Sequence, residues 1–249
     1  IINGAECEPY ITSDYRCFME EGEDVLEGVL LMLKYLGIPK CVIGIEKNKP
    51  KAIEKMTRLC EKHDNITVKP LKSSYPQGAE KTLIFSTTGR VVKEGTLPLA
   101  SGCIVINSST AAFIAQYIRT GMPLVKRRIT VDGNIVKKPS NFIVPVGMSI
   151  GEIVYYAELS DKPDRIILGG PMMGACAFDP DYPLSKTNNA VLMFADSPVY
   201  EPSDCIRCGK CVKACSMNLL PTELEHAFDM RDARQLEKLK VNLCVNCGA

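Results

Sequence analysis

Short apolar runs and stretches of helical periodicity alternate through the first half of this chain. Apolar runs rich in β-branched residues predict strands at Ile1–Ile2, Cys41–Ile45, Ile66–Leu71 and Cys103–Ile106. Apolar positions three or four residues apart predict helices that begin near Gly22, Asn48, Ala79 and Ser108. Strands that alternate with helices favour an α/β domain on a mainly parallel sheet, which we expect to cover residues 1–124.

The pattern changes near Leu124. Two short apolar runs on either side of Asp132-Gly133, namely Ile129–Val131 and Ile135–Val136, predict a hairpin with a two-residue turn. Further strands are predicted at Asn141–Val146, Arg165–Leu168 and Ala190–Ala195, and Ser149 with Glu152 forms a capping box for a helix through Tyr156. Strands around one helix indicate a ubiquitin-like β-grasp module over residues 125–200.

The last segment, residues 201–249, contains most of the chain's recognisable chemistry. Pro198–Pro202 is typical of a linker into it, and Pro221–Leu239 is helical by pattern. Earlier in the chain, parallel sheets bind ligands in loops beyond the carboxyl ends of their strands. Two loops there carry suitable polar side chains, Asn3–Glu8 after the first strand and Asn107–Thr110 after the strand that ends at Ile106.

Composition disfavours some classes of function without identifying the function itself. The chain has 249 residues and a formal charge of +1, which gives no electrostatic case for nucleic-acid binding. The apolar stretch Val25–Leu36 carries Glu27 and Lys34, and Cys103–Ile118 is shorter than the roughly 20 apolar residues that a membrane span needs. We therefore expect no transmembrane segment, and any membrane attachment would come through partners.

The strongest motif is C-x₂-C-x₂-C-x₃-C, formed by Cys205, Cys208, Cys211 and Cys215. A second pair follows, Cys244 and Cys247, so that six of the twelve cysteines lie in this last segment. This spacing is typical of two-cluster ferredoxins, in which the first three thiolates hold one cluster and the fourth ligates the other. The motif predicts iron–sulfur ligation.

Zinc is the main alternative to iron. Two C-x₂-C pairs, Cys208 with Cys211 and Cys244 with Cys247, could close a tetrahedral zinc site, but Cys205 and Cys215 would then have no role. A disulfide framework is disfavoured because the remaining cysteines are scattered singly through apolar segments, as in reduced cytosolic proteins.

Six cysteines cannot complete two cubane clusters. In the interdigitated arrangement the first cluster would take Cys205, Cys208 and Cys211, and the second would take Cys215, Cys244 and Cys247, so that each lacks one ligand. We expect the missing pair just beyond Ala249, which would make this chain a fragment that ends inside its second cluster motif.

Six motifs occur in the order seen in the C subunit of the Rnf electron-transport complex. They are I-I-N-G-A-E-C-E-P-Y-I-T-S-D-Y-R, G-I-E-K-N-K-P-K-A-I, Y-P-Q-G-A-E-K, I-N-S-S-T-A, G-G-P-M-M-G and the cluster motif. The chain resembles that protein along nearly its whole length. The family is in turn similar to the flavin- and NADH-binding subunit of respiratory complex I.

The resemblance implies a fold and a set of cofactors. Residues 1–124 would be a Rossmann-like FMN and nucleotide domain, residues 125–200 an SLBB β-grasp module, and residues 201–249 the start of a helical, ferredoxin-like segment. The intact protein would bind FMN and two [4Fe-4S] clusters, use NADH as substrate, and pass electrons between NADH, FMN and the clusters. It would lie at the cytoplasmic face of the cell membrane, attached through the other subunits of an Rnf-type ion-translocating ferredoxin:NAD oxidoreductase, and exchange electrons with ferredoxin or an iron–sulfur partner subunit.

The resemblance also assigns site residues. Asn3 and Glu6 would contact the flavin, and Glu8 would accept a hydrogen bond from flavin or nucleotide. Asn107 and Thr110 match a second loop, near the flavin phosphate and ribityl chain. Capping of the following helix is an ordinary alternative for Asn107 and Thr110, and solvated carboxylates are an ordinary alternative for Glu6 and Glu8.

This sequence departs from the family pattern in three places. The Gly-rich loop expected before Ile1 is absent, the acidic loop that completes the NADH pocket of complex I has no counterpart, and Ser216 replaces the usual proline after the fourth cysteine. We therefore expect this fragment alone to be inactive. Two other functions remain open: a related flavin and iron–sulfur enzyme of the cobalamin-reductase kind, and a zinc-binding scaffold without redox activity.

Overall fold

The computed structural model describes residues 1–196 and 198–248. Its first sheet contains four parallel strands in the order β3-β2-β1-β4. The strands are β1 (Ile2–Gly4), β2 (Cys41–Glu46), β3 (Ile66–Leu71) and β4 (Ile106–Asn107). The expected parallel α/β architecture is confirmed, although the predicted strand at Cys103–Ile106 is reduced to β4.

Four helices accompany this sheet: α1 (Ser13–Tyr35), α2 (Pro50–Cys60), α3 (Glu80–Thr88) and α4 (Ser108–Thr120). Phe18, Val25 and Val29 of α1 are buried with Ile43 of β2 and Met56 of α2 in one core. This core fixes the positions of the loops that leave the carboxyl ends of β1, β2 and β4.

The start of α1 corrects the sequence prediction. The helix begins at Ser13 rather than near Gly22, and its backbone leaves helical geometry only at Glu21, where φ is −121° and ψ is 25°. Apolar periodicity detected the second part only. The first part is stabilised by the Glu6 carboxylate, which accepts hydrogen bonds from early amides of the helix.

The structure adds two details around the first sheet. The helix expected to begin near Asn48 is α2, whose N-cap residue is Lys49, and the Lys49 side chain makes no cap hydrogen bond. Gly28 allows α1 to lie directly on α4, since a Cβ atom at this position would be 1.9 Å from the carbonyl oxygen of Ala111. No periodicity argument could have detected that close approach.

The second sheet contains five strands in the order β6-β5-β9-β7-β8. They are β5 (Lys126–Asp132), β6 (Ser140–Pro145), β7 (Arg165–Leu168), β8 (Ala175–Cys176) and β9 (Ala190–Phe194). Only the β5–β9 pair is parallel. Helix α5 (Ile150–Tyr156) contributes Ile150 and Ile153 to the core on this sheet, and its predicted Ser149–Glu152 capping box is present.

The predicted two-residue hairpin is wrong. The antiparallel partner of β5 is β6, in the register Ile129 to Phe142, rather than Ile135–Val136. Both Ile135 and Val136 are buried, and Val136 forms an isolated bridge with Leu159 instead. The apolar pair packs into the core, and a longer connection therefore separates the two strands.

The last segment consists of short helices around irregular cysteine loops. It contains α6 (Lys210–Ala214), α7 (Pro221–Asp229), α8 (Ala233–Lys238) and a 3₁₀ turn at Val241–Leu243. The single helix predicted over Pro221–Leu239 is therefore two helices. Arg231 has a positive φ of 54°, and the Asp232 side chain accepts a hydrogen bond from the Gln235 amide and so caps α8.

Within the described residues, no helix is both long enough and apolar enough to cross a membrane.

Candidate functional site

A cleft of about 520 Å³ opens at the carboxyl ends of β1 and β4. Four of the five predicted flavin residues line it: Asn3, Glu6, Glu8 and Asn107. The Cys244 and Cys247 loop lines the same cleft. The structure thus brings the two predicted loops of the sheet together with a cysteine pair from the far end of the chain.

Asn3 connects two walls of the cleft. Its Oδ1 accepts a hydrogen bond from the Ala5 amide at 3.1 Å, and its Nδ2 donates to the Gly78 carbonyl at 3.0 Å. A Cβ atom on Gly78 would be 2.6 Å from the Ala5 carbonyl oxygen, so the two loops are in close contact. Asn3 therefore sets the width of the cleft at this point.

Glu6 is buried at the start of α1. Its carboxylate accepts hydrogen bonds from the Asp14 amide at 2.7 Å and the Tyr15 amide at 3.2 Å. Burial, and then the charge of Asp14, raise the pKa of Glu6 to about 7. The carboxyl group is therefore held on the helix terminus, next to the cleft that it lines.

Asp14 and Asn107 form a second buried polar connection, between α1 and α4. Asn107 caps α4 by accepting from the Ser109 amide at 2.9 Å, and its Nδ2 donates to Asp14 Oδ2 at 2.9 Å. Burial raises the pKa of Asp14, and the hydrogen bond from Asn107 acts in the opposite direction. Asn107 thus has the capping role that its position suggested while it also faces the cleft.

Glu8 connects the first sheet to the second. Its carboxylate accepts hydrogen bonds from the Met172 amide at 3.0 Å and the Met173 amide at 2.9 Å. Those amides belong to the G-G-P-M-M-G loop after β7. A Cβ atom on Gly170 of this loop would be 2.2 Å from Glu8 Oε2, which explains the need for glycine there.

Thr110 does not line the cleft. It is exposed in the first turn of α4. The structure therefore groups four of the predicted contacts and leaves Thr110 apart from them.

The sequence analysis did not single out Lys49 and Tyr75. Lys49 donates to the Glu6 carbonyl at 2.9 Å and to Glu46 Oε2 at 3.0 Å, and it lines an adjoining cleft of about 570 Å³. Tyr75 lines both clefts. Both residues lie in motifs already noted, G-I-E-K-N-K-P-K-A-I and Y-P-Q-G-A-E-K. These motifs were the feature of the sequence from which both residues could have been identified as candidates.

The two C-x₂-C-G loops share one backbone arrangement. In the first, Cys205 Sγ accepts a hydrogen bond from the Arg207 amide at 3.3 Å; in the second, Cys244 Sγ accepts from the Asn246 amide at 3.4 Å. Arg207 and Asn246 both have positive φ, 55° and 51°. Amide donors directed at sulfur stabilise thiolates, so the geometry of both loops fits a metal-ligating role.

The six predicted cysteine ligands do not lie close together in threes or larger groups. In residues 1–196 and 198–248, no three thiol, imidazole or carboxylate side chains are close enough to hold a metal ion. Cys215 Sγ accepts from the Leu219 amide at 3.4 Å, and Cys205, Cys208 and Cys211 are exposed. The second loop is anchored differently, because Tyr75 Oη donates a hydrogen bond to the Cys247 carbonyl.

One known family matches the first part of the chain. Residues 1–116 match the Complex1_51K family, described as the Nuo51 FMN-binding domain. The cleft described above lies within this match, apart from the loops that the second sheet and the last segment contribute. Residues 1–116 are therefore similar in sequence to the Nuo51 FMN-binding domain, and the structure gives them a parallel α/β fold.

Relatives with names extend this similarity to the whole chain. It is 41% identical over 246 residues to the C subunit of the proton-translocating ferredoxin:NAD(+) oxidoreductase complex of Clostridium ljungdahlii, covering 98% of this chain and 53% of that protein. It is 39% identical to the Na(+)-translocating counterpart of Acetobacterium woodii, covering 90% and 51%. The C subunit of the Rhodobacter capsulatus ion-translocating oxidoreductase complex is 37% identical, covering 95% and 47%.

These relatives confirm the expected resemblance: the chain is homologous to the C subunits of Rnf-type ion-translocating oxidoreductase complexes. The chain spans about half the length of the curated relatives it matches. None of the three is named as a cobalamin reductase or a zinc scaffold, so those alternatives gain no support.

Solved structures with a similar fold include chains of an NAD⁺-reducing [NiFe]-hydrogenase. The H₂-reduced form matches with a TM-score of 0.69 at 16% identity, covering 99% of this chain and 52% of that chain. The air-oxidised form matches with a TM-score of 0.64 at 18% identity, covering 78% and 39%. At these identities the likeness concerns the fold.

Proposed function

We propose that the protein containing this chain is the electron-transfer subunit of a membrane-bound, ion-translocating ferredoxin:NAD oxidoreductase. It passes electrons between NADH, FMN and two [4Fe-4S] clusters. The observation that carries the proposal is the shared cleft, in which Asn3, Glu6, Glu8 and Asn107 lie together with the Cys244 and Cys247 loop. A nucleotide site and a thiolate loop in one cleft form the arrangement that electron transfer between them requires.

The residues of the cleft fit a flavin. Asn3 and Asn107 hold its two loops in place, the carboxyl groups of Glu6 and Glu8 line it, and Lys81 is a cation in its lining. When bound, FMN exchanges two electrons as a hydride with NADH and exchanges electrons singly with iron–sulfur clusters. The task of this chain's residues is to orient the bound group and to limit its exposure to water. The contact assigned to Thr110 stays a prediction.

The cysteine loops fit iron–sulfur clusters. Their amide donors to Cys205 and Cys244 match the hydrogen bonds that tune cluster thiolates. The first cluster would use Cys205, Cys208 and Cys211, and the second would use Cys215 with Cys244 and Cys247. Each then requires one further ligand.

The proposed domain organisation follows the two sheets. Residues 1–124 form the nucleotide domain, residues 125–200 an SLBB β-grasp module, and residues 201–249 the beginning of the ferredoxin-like segment. The order β6-β5-β9-β7-β8, with its single parallel pair β5–β9, supports the β-grasp assignment. The protein would attach to the cytoplasmic face of the cell membrane through partner subunits and exchange electrons with ferredoxin or an iron–sulfur subunit.

The test uses full-length protein purified without oxygen. We expect FMN, iron and labile sulfide, and a visible absorption band that NADH bleaches. A colourless protein that contains zinc and no iron would overturn the proposal.

A charge substitution in the cleft tests the flavin site separately. Lys81→Glu should weaken FMN binding by about tenfold or more, because charge-assisted hydrogen bonds to phosphate are among the stronger ones. Lys72→Glu, at an exposed position outside both clefts, is the control. Equal FMN affinity in the two variants would show that Lys81 does not contribute to FMN binding.

A further inference from the structure

The second cysteine loop, Cys244–Gly248, is held at the cleft by a residue of the first domain. Tyr75 lies after β3, lines both clefts, and donates its hydroxyl hydrogen bond to the Cys247 carbonyl. The two residues are 172 positions apart in the chain. A tertiary hydrogen bond of this kind fixes the loop relative to the nucleotide domain.

The opposite side of the same loop contacts the second sheet. A Cβ atom on Gly248 would be 2.0 Å from the Met172 carbonyl oxygen, and Gly248 has a positive φ of 71°. The Met172 and Met173 amides are in turn held by Glu8. The second cysteine loop is therefore clamped between Tyr75 and the Met172 segment. The Met172 segment is itself bound to Glu8, in the loop that follows β1.

The first cysteine loop, Cys205–Gly209, has no such anchor in the part of the chain that the structure describes. Its sulfur atoms line neither cleft, and Cys205 and Cys208 are exposed. The hydrogen bond at Cys205 Sγ comes from Arg207 within the loop itself. Two loops with the same local backbone thus differ in where the fold places them.

We propose that Tyr75 is a positioning residue, which docks the second cysteine loop at the nucleotide cleft. A cluster held by this loop would then exchange electrons with a flavin bound in the cleft before a cluster held by the first loop does. This inference rests on the proposed function and assigns an order to its carriers. Oxidation of one NADH to NAD⁺ releases a proton and two electrons, which a bound flavin would pass on singly, one to each cluster. The first cysteine loop, which is exposed, then faces the next electron carrier.

Docking is tested by Tyr75→Phe in full-length protein purified without oxygen. We expect amide hydrogen exchange across 244–248 to accelerate about fivefold, which corresponds to loss of about 1 kcal/mol, with exchange across 205–209 unchanged. Tyr117→Phe, at an exposed position on α4, is the matched control and should leave both loops unchanged. Unchanged exchange across 244–248 in Tyr75→Phe would overturn the docking role. The measurement does not require bound clusters, so a variant with a lower iron content is judged by the same result.

A kinetic readout separates positioning from general stability. In stopped-flow reduction by NADH, Tyr75→Phe should lower the rate of cluster reduction by a larger factor than the rate of flavin bleaching. Gly248→Ala should give the same split, because it forces the loop away from Met172. Cluster reduction at the wild-type rate in both variants would reject the proposal.

The order of the carriers is tested by removing one cluster at a time. In Cys205→Ala, the remaining cluster should be reduced by NADH at the wild-type rate, whereas in Cys244→Ala the remaining cluster should be reduced about tenfold more slowly or worse. The reverse pattern would overturn the order while leaving the proposed function intact. Wild-type protein without iron or flavin would instead overturn the proposed function itself.

Discussion

The carboxylate of Glu8 and the amide of Met173 form a direct link between the two sheets of this protein. Glu8 Oε1 accepts that hydrogen bond at 2.9 Å, and Glu8 Oε2 accepts a second one from Met172 at 3.0 Å. One side chain that follows the first sheet's strand β1 thereby holds the G-G-P-M-M-G loop of the second sheet. The cleft, which both sheets help to line, depends on this link.

Loss of the two hydrogen bonds to Glu8 should weaken the contact between the two sheets. Glu8→Ala should lower the free energy of unfolding by about 1–3 kcal/mol, because two amides lose a charged acceptor. Urea denaturation of the full-length protein measures the effect, with Glu61→Ala at an exposed position as the control. If the two variants unfold at the same urea concentration, the link contributes nothing to stability.

The buried Glu6 carboxyl should make stability depend on pH. Its pKa is about 7 in the folded protein and close to the ordinary value of 4.5 in the unfolded chain, so the unfolded chain loses the proton first as pH rises. Stability should therefore fall between about pH 4.5 and pH 7, by up to about 3 kcal/mol, and level off above that range. Denaturation midpoints at a series of pH values would reveal this loss.

Glu6→Gln should make that pH profile shallower, because one of the two buried carboxyl groups with a raised pKa is gone and Asp14 remains. The variant also loses one acceptor for the α1 amides, so the slope rather than the absolute stability is the relevant quantity. Glu94→Gln, at an exposed position, should retain the full slope. A Glu6→Gln profile as steep as that of the wild type would assign the pH dependence to other groups.

The contact between α1 and α4 should not tolerate a methyl group at Gly28. Gly28→Ala places a Cβ atom 1.9 Å from the Ala111 carbonyl, and the helices must separate, which should cost about 1–3 kcal/mol. Gly22→Ala on the same helix meets only the ends of flexible side chains, of which the nearest, Leu59 and Lys55, are at 3.1 Å. Thermal unfolding should therefore show a clearly lower Tm for Gly28→Ala, and equal Tm values would argue against the close packing.

The cysteine motif should hold iron at the positions that its spacing predicts. Cys244→Ser in full-length protein should lower the iron and labile sulfide content, because the second cluster loses a ligand. Cys176→Ser removes an exposed cysteine outside the motif and should leave the iron content unchanged. Equal iron in the two variants would exclude Cys244 as a ligand.

Local pattern was sufficient for much of the fold. The apolar run at Cys41–Ile45 corresponds to β2, an inner strand, because strands inside a parallel sheet are covered on both faces and favour apolar, β-branched residues. The run at Ile66–Leu71 corresponds to β3, an edge strand that is buried at its two end residues. The pattern failed at the start of α1, where a side chain distant from the periodic stretch satisfies the helix amides. It failed again at Ile135–Val136, which are buried by tertiary packing rather than by strand pairing.

By itself, the sequence determined the chemistry of this protein: the thiolates at ferredoxin spacing and the polar loops after two parallel strands, since both depend on residue type and short separation. Only the tertiary structure decided which of these groups meet. It joined Glu8 to Met173 and Tyr75 to Cys247, and it placed the second cysteine loop, not the first, in the cleft. Such contacts depend on the packing of two sheets and an irregular segment, which no local pattern encodes.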